Sequence, residues 1–190
     1  REYLQKKYKD AHIDSIFVER NANNMTITIF AGKPGIIIGR GGQGLDVLRK
    51  HIERNFLQFS MKVKLNIQEV KQPALSAAIV AQGIVQDTEN RRPYRRVIKN
   101  HIDKVMKAGA KGVKIMMSGR LNGVEISRQE TLSAGKIPLI TLRSNVDYSN
   151  KRANTIYGVI GVKVWIYKGE SFERIDLLSQ AQEQPKKKSR

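Results

Sequence analysis

The stretch 34-PGIIIGRGGQGLDVLRK-50 holds four glycines within six residues and fits two phosphate-binding patterns at once. The spacing Gly39-x-Gly41-x-x-Gly44 matches a dinucleotide fingerprint, whose loop cradles a pyrophosphate. From Gly39 to Gly42 the same residues match the GXXG loop that clamps a nucleic-acid backbone. The elements predicted on either side of the loop must decide between these two ligands.

Strands and helices are predicted around the loop over residues 1–70. Upstream, HIDSIFVER and NMTITIFAG alternate apolar residues as β-strands do, and the Asn-rich turn between them predicts an antiparallel hairpin. Downstream, a helix with Leu45, Leu48 and Ile52 on one side leads into KVKLNIQEV, a third strand. With helical spacing in residues 1–10, the predicted order is helix, strand, strand, short helix, GXXG loop, helix, strand.

A dinucleotide-binding loop needs a buried parallel strand that runs directly into its glycines. Pro34-Gly35 interrupts the chain just before the fingerprint, so only Ile36–Ile38 remain for that strand. The third strand also carries lysines on its alternate face, where a doubly wound sheet is apolar. An NAD-dependent dehydrogenase stays open as an alternative, because Glu69 stands near the place of the ribose-binding acid.

The GXXG interpretation fits the whole element order, which is that of a type II KH domain (αββααβ). Glycines at 39, 41 and 42 let the main chain approach phosphate oxygens, and the next helix adds the positive end of its dipole. Arg40 supplies a cation at the tip. We therefore expect residues 1–70 to bind single-stranded RNA at Gly39, Arg40, Gly41 and Gly42.

Residues 71–170 predict a second unit. An Ala-rich helix follows Pro73, and YRRVIKNHIDKVMKA forms another that begins after Pro93 and ends at Gly109. Strands are predicted in KGVKIMMSG, GVEISRQE, KIPLITLR and YGVIGVKVWIYKG. The fold class is therefore α+β, with two helices packed on one face of a mostly antiparallel sheet in this C-terminal domain. Residues 171–190 lose the periodicity and predict a flexible basic tail.

The chain is strongly basic, with 35 Lys and Arg against 17 Asp and Glu, a net charge of +18 and a pI near 10.3. Such an excess points to a polyanionic partner. Residues 1–70 hold 12 basic and 7 acidic side chains and residues 71–180 hold 19 and 9, so both units are expected to contact nucleic acid. No apolar run approaches the roughly 20 residues of a spanning helix, so we expect no membrane partner.

A second cluster of cations opens the helix after Pro93. Four arginines at a helix N-terminus oppose its dipole, and such a local conflict invites a functional explanation. The three- and four-residue spacing predicts one cationic face, and Arg95 and Arg96 have no acidic partner at helical spacing, whereas Lys99 has Asp103. We expect phosphate binding here, with a solvated charged face as the alternative. The cluster is Arg91, Arg92, Arg95, Arg96 and Lys99.

Catalytic chemistry has no support in the sequence. His12, His51 and His101 lack a second ligand at helical spacing, and the chain has no cysteine. No Gly-x-Ser-x-Gly elbow occurs, and Gly135-Lys136 lacks the rest of a phosphate-binding Walker loop. We therefore expect no enzyme, no cofactor, no metal and no small-molecule substrate, so any work on RNA must be passive.

Four stretches resemble the bacterial form of the small-subunit ribosomal protein S3 family: GKPGIIIGRGGQGLDVLRK, RRVIKNHIDKVMKAGAKGVKIMMSGRLNGVEISR, IPLITLRSNVDY and YGVIGVKVWIYKGE. The resemblance implies a cytoplasmic ribosomal protein of the small-subunit head that binds small-subunit rRNA. It also implies that the protein lines the channel through which mRNA enters, beside ribosomal proteins four and five. Arg95, Arg96 and Lys99 match the family's motif for passive unwinding of mRNA, and Arg91 and Arg92 extend it.

Further expectations accompany the resemblance. Additional rRNA contacts are expected at Arg120, Arg128 and Arg143. Gly44 stands where the family commonly has an acidic residue, and we expect it to loosen the start of its helix slightly. The family's usual N-terminal extension is not present before Arg1, which suggests a missing segment. A free KH-type regulator of mRNA remains the alternative function.

Overall fold

The computed structural model describes residues 1–21, 24–57 and 61–171, so nearly all of the predicted basic tail lies outside the described residues. The first unit runs through α1 (Glu2–Lys7), β1 (Ile13–Arg20), β2 (Asn24–Ala31), α2 (Pro34–Ile38), α3 (Gln43–Asn55) and β3 (Lys62–Glu69). The second unit runs through α4 (Ala77–Glu89), α5 (Tyr94–Lys107), β4 (Gly112–Gly119), β5 (Arg128–Gly135), β6 (Ser144–Thr155) and β7 (Gly158–Glu170).

The first unit is built on a three-stranded sheet in the order β1-β2-β3. β1 and β2 are antiparallel, as the hairpin prediction requires, and β3 lies parallel to β2. The connection between the two parallel strands runs through α2, the GXXG loop and α3. Ile37 of α2 and Leu48 and Ile52 of α3 are buried in one core with Ile29 of β2. The predicted αββααβ order of a type II KH domain is confirmed.

The glycine loop does not follow a strand directly. Ile36–Ile38, which a dinucleotide fold would need as a strand, form most of α2, and Pro34 stands in its first turn. Proline is well suited to that position, because its fixed φ angle is already helical and the N–H that it lacks would have no helical partner. The loop therefore joins two helices, which is the arrangement of the GXXG motif.

The second unit is a four-stranded antiparallel sheet in the order β5-β4-β7-β6. α4 and α5 contribute to one hydrophobic core with the inward-facing residues of the two central strands, which confirms the predicted layering of helices on one face. Alternate residues of β4 and β7 are buried: Val113, Ile115, Met117, Ile160, Val162, Val164 and Ile166. No helix in the described part of the chain is long and apolar enough to cross a membrane.

Two strands of this sheet differ from the prediction. The segment KIPLITLR has no strand, and its apolar side chains at Leu139, Ile140 and Leu142 are exposed. The edge strand is instead the polar β6, which pairs along its whole length with β7 although it buries only Ser149 and Ala153. An edge strand needs no apolar alternation, because one of its sides faces solvent. The strand predicted in GVEISRQE begins only at Arg128.

Helix α4 joins the two units. Ser76 caps it by accepting a hydrogen bond from the Ile79 N–H at 3.3 Å, and its own hydroxyl donates to the Asp14 carboxylate of β1. Further along α4, the Gln82 side-chain amide donates to the main-chain oxygen of Ile13 at 2.9 Å. These bonds fix the first unit against the helix that leads into the basic cluster.

Candidate nucleic-acid interface

The GXXG loop exposes its main chain. Gly39, Gly41 and Gly42 all have positive φ angles, of 70°, 60° and 79°, a region that other residues adopt only at a cost. A Cβ atom added to Gly41 or Gly42 would meet no atom within 4 Å, so the outer side of the loop is open. Gly42 caps α3 without a side-chain hydrogen bond, which leaves amides of the first turn for an external acceptor.

Gly44 holds the two helices of the loop close together. A Cβ atom at this position would lie 2.7 Å from the main-chain oxygen of Ile37 and 2.8 Å from that of Ile38. Such distances are shorter than any carbon–oxygen contact that packing tolerates, so a larger residue would push α3 away from α2. Gly44 was expected only to loosen the helix start, and the structure gives it a packing role as well.

The predicted contact of the Arg40 side chain falls outside what the structure describes and stays a prediction. The described residues nevertheless supply cations beside α3, the helix that follows the loop. A cavity of about 560 Å³ lies between α3 and the sheet and is lined by both apolar and basic side chains. Leu45, Val63 and Leu65 provide the apolar part; Arg49, Lys62 and Lys64 provide the charge; and Asp46 is the acidic member.

An apolar surface beside the loop is expected of a domain that holds unstacked bases, but the basic side chains of this groove were not predicted. Their signal is visible in the sequence, where Lys62 and Lys64 alternate with the apolar residues of β3. Arg49 forms an ion pair with Glu53, because the Arg49 Nε lies 3.1 Å from the Glu53 carboxylate. The hydrogen bond from the Val63 N–H and the bond from Arg49 hold the pKa of Glu53 below its ordinary value.

The second candidate site begins at the turn between α4 and α5. Arg91 has a φ angle of 60°, and its N–H donates to the Thr88 oxygen at 3.0 Å, while the Arg92 N–H donates to the Asp87 oxygen at 3.1 Å. This pair of bonds is a Schellman cap, in which the left-handed residue is usually glycine. An arginine in that conformation costs about 1–2 kcal/mol. The turn therefore contains a charged residue whose backbone conformation is unfavourable for that residue type.

Helix α5 presents the predicted cationic face. Arg95, Arg96 and Lys99 are exposed, whereas Val97 and Ile98 are buried. Within residues 61–171 neither Arg96 nor Lys99 forms an ion pair, so the pairing of Lys99 with Asp103 that its spacing suggested is wrong.

Arg95 has an acidic partner that helical spacing could not reveal, because the partner comes from β5. Its Nη2 lies 2.9 Å from the Glu130 carboxylate, which also accepts a hydrogen bond from the Tyr94 hydroxyl at 2.7 Å. The bonds from Arg95 and Tyr94, with the charge of Arg128, lower the pKa of Glu130. The Arg95 side chain remains 71% exposed, and an exposed pair of this kind contributes little to stability. It can therefore exchange Glu130 for a phosphate.

The three additional rRNA candidates occupy different places. Arg120 is partly buried and donates through Nε to the Val124 oxygen at 2.9 Å, so it also stabilises its own turn. It lines one cavity with Arg91 and Arg92. Arg128 is exposed at the start of β5, on the Glu130 side of the basic cluster. Arg143 is exposed in the turn before β6.

Asp87 connects the basic cluster to the interior. Its carboxylate lies 3.0 Å from Arg92 and 3.1 Å from Nε2 of the buried His101. Burial lowers the pKa of His101 below 6.5, which outweighs the opposing hydrogen bond to Asp87. The Asp87 carboxylate can only accept a hydrogen bond, so Nε2 of His101 is the donor, a role that sequence alone did not indicate. In the described residues no three potential ligands gather into a metal site.

Fold and charge together define an RNA-binding protein built on a type II KH domain. A KH-domain model matches residues 1–75, and a model described as "Ribosomal protein S3, C-terminal domain" matches residues 84–166. The chain is 47% identical over 174 residues to "Small ribosomal subunit protein uS3" of Thiobacillus denitrificans, a match that covers 92% of the chain and 73% of the relative. The protein of the same name from Polaromonas naphthalenivorans is 46% identical over 176 residues, which are 93% of this chain and 59% of that one.

A third relative of that name, from Burkholderia thailandensis, is 44% identical over 93% of the chain and 65% of its own length. The chain thus spans between 59% and 73% of the curated relatives that it matches. It belongs to the ribosomal protein S3 (uS3) family. The family is not one of enzymes, which confirms the non-enzymatic prediction and removes the dehydrogenase alternative.

Proposed function

We propose that this protein is a structural constituent of the small ribosomal subunit, located in the cytoplasm, and that it binds small-subunit rRNA. The observation that carries the proposal is the similarity to uS3 proteins over 92–93% of the chain. In this proposal residues 1–70 are the KH domain and residues 71–170 the C-terminal domain. Two separate buried clusters, one from Leu4 to Val63 and the other from Ala77 to Ile166, support that division.

The KH domain would grip RNA through its main chain. The open main chain at Gly41 and Gly42 and the uncapped start of α3 suit phosphate oxygens, which need close approach and positive potential. The groove beside α3 suits unstacked bases, because its apolar residues offer a contact surface and Arg49, Lys62 and Lys64 line its rim. Shape and charge, with no bound cofactor, are sufficient for this kind of binding.

The basic face of α5 is proposed to contact mRNA where it enters the small subunit, beside ribosomal proteins four and five. Arg95, Arg96 and Lys99 are exposed on one side of a helix whose other side is anchored in the core. Such a face can hold the phosphates of an opened strand and so make re-pairing less favourable. The energy for opening would come from the forward step of the ribosome, since the sequence contains no Walker loop that would bind a nucleoside triphosphate.

A translation assay on structured messages tests the unwinding proposal. Replacing Arg95, Arg96 and Lys99 by Ala should slow ribosomes on messages with stable hairpins and leave unstructured messages unaffected. The matched control replaces Lys104, Lys107 and Lys111, three exposed lysines at or just beyond the other end of α5, and should change neither rate. Equal slowing on both kinds of message would contradict the proposal.

A sedimentation experiment separates a ribosomal constituent from a free KH-type regulator of mRNA. A constituent of the small subunit should sediment with it after washing in high salt, because its contacts with rRNA are extensive. A regulator bound through phosphates alone should be released, since phosphate contacts weaken steeply with salt. Complete release would favour the regulator.

A further inference from the structure

A cavity of about 340 Å³ lies beside the basic face of α5. Three segments enclose it: the α4–α5 turn, the turn after β4, and the tip of the β6–β7 hairpin. They bring together the side chains of Arg91, Arg92, Arg120, Tyr94 and Tyr157. The volume falls in the range of small-molecule sites, which are roughly 300–1,000 Å³. Cations and phenol rings thus converge on a space of the size of one nucleotide.

Tyr157 is held in place although the residue is 49% exposed. Its ring lies so close to Gly123 that a Cβ atom there would be 3.0 Å from ring carbon Cε2. The Arg120 guanidinium carbon is 5.8 Å from the ring centroid, and its Nη1 donates to the Tyr157 main-chain oxygen at 3.4 Å. A ring fixed on one side and open on the other is suited to stacking, because little conformational freedom is lost on binding.

The charges around the cavity favour an anion. Arg91 is held there by the strained cap described above and has no ion pair among residues 61–171. Arg92 is paired with Asp87 at 3.0 Å but remains largely exposed. The acidic residue in the lining is Glu89, whose carboxylate already accepts the Asn154 N–H at 3.1 Å. A strained residue that keeps a cation at a cavity is a typical mark of a binding role.

We propose that this cavity binds one unstacked nucleotide of single-stranded RNA, with its base on Tyr157 and its phosphate at Arg91 and Arg92. Proteins recognise unpaired RNA bases by stacking them on aromatic rings and arginine planes, which is the combination found here. The inference rests on the proposed function, because it assumes that RNA follows the cationic face of α5. It adds a base-dependent contact to a face that would otherwise bind phosphate alone.

The test compares two probes by fluorescence anisotropy at low salt, namely a short oligouridine and the abasic ribose-phosphate oligomer of equal length. In the full chain, Tyr157→Ala should weaken oligouridine binding about tenfold, which is within the range for losing one base–aromatic stack, and leave the abasic probe unchanged. The matched control is Tyr148→Ala, since Tyr148 is 50% exposed and lies on β6 away from the cavity. It should change neither affinity.

A second measurement needs no substitution at the cavity. Photocrosslinking of the unaltered chain to oligo-5-iodouridine should attach the probe at Tyr157, and crosslinks confined to other residues would overturn the inference. If Tyr157→Ala behaves like Tyr148→Ala while the chain still binds both probes, the nucleotide pocket fails and the proposed function stands. If the unaltered chain binds neither probe, the proposed function fails with it.

Discussion

At the scale of single residues, Arg91 stands where helix ends usually have glycine. Its backbone adopts the left-handed conformation with a φ angle of 60°, and two hydrogen bonds of a Schellman cap require that conformation. In the sequence Arg91 is only one of four arginines that oppose the dipole of the following helix. Only the backbone geometry reveals that the position is strained.

Replacing Arg91 by Gly should therefore increase the stability of the chain and weaken its binding to RNA. The free energy of unfolding is expected to rise by about 1 kcal/mol as the strain is relieved, while affinity for single-stranded RNA falls. Thermal unfolding and anisotropy would measure the two effects. Arg91→Lys is the control that keeps both the charge and the strain, and it should leave both quantities nearly unchanged. A less stable Arg91→Gly protein would show that the cap is not strained.

Gly44 and Gly35 form a matched pair of helical glycines in the KH domain. Gly44→Ala should destabilise the chain by about 1–3 kcal/mol, because the new carbon would meet main-chain oxygens of α2 at 2.7 Å and 2.8 Å. Gly35→Ala should be neutral or stabilising by up to about 1 kcal/mol, since nothing lies within 4 Å of the added carbon. Urea unfolding of both variants measures the difference. Equal effects would contradict the close packing of α2 against α3.

At the scale of elements, the helices and strands predicted correctly from the sequence are those whose periodic apolar residues are buried in the core. The amphipathic α5 and the alternating β4 and β7 were predicted almost to the residue, because their apolar residues form the core. Strand β6 was missed, since backbone pairing with β7 holds it and its side chains are mostly polar. The segment KIPLITLR was wrongly predicted as a strand for the opposite reason. Its apolar residues Leu139, Ile140 and Leu142 are exposed and take no part in the core.

The candidate sites divide in the same way. The glycine spacing predicted a GXXG loop, and the positive φ angles of Gly39, Gly41 and Gly42 are ones that glycine adopts readily. The partner of Arg95 was not predictable, because Glu130 lies on another element and only the tertiary fold brings it to 2.9 Å. The lysines of β3 were visible in the sequence, but their place beside α3 depends on parallel pairing with β2.

Two desolvated histidines, His101 of α5 and His12 just before β1, should make stability depend on pH. Burial lowers the pKa of His101 and of His12 below 6.5, so below that pH the unfolded chain binds more protons than the folded one. Above it both rings are neutral in either state. Stability is therefore complete near pH 7 and should fall as the pH is lowered through 6.5 towards the folded-state values.

Chemical denaturation at several pH values between 7 and 5 would measure this dependence. His101→Gln and His12→Gln should each reduce it, because glutamine does not titrate and can still donate a hydrogen bond. Stability that increases on acidification over this window would contradict burial of the two neutral rings.

At the scale of the whole molecule, the positive charge is distributed over two units that α4 holds together. The bond from Gln82 to Ile13 and the bond between Ser76 and Asp14 cross from one unit to the other. Both candidate surfaces belong to one chain with a net charge of +18. The molecule as a whole is therefore expected to bind RNA at several phosphates simultaneously, with a correspondingly steep dependence on salt.

The most direct test of RNA binding by phosphate contact is the affinity of the purified chain for single-stranded RNA at increasing salt concentration. The logarithm of the binding constant should fall linearly with the logarithm of salt, with a slope of roughly 0.7 for each phosphate neutralised. Replacing Arg95, Arg96 and Lys99 by Ala should reduce that slope by about two. A binding constant that does not change with salt, or no binding at low salt, would contradict the account.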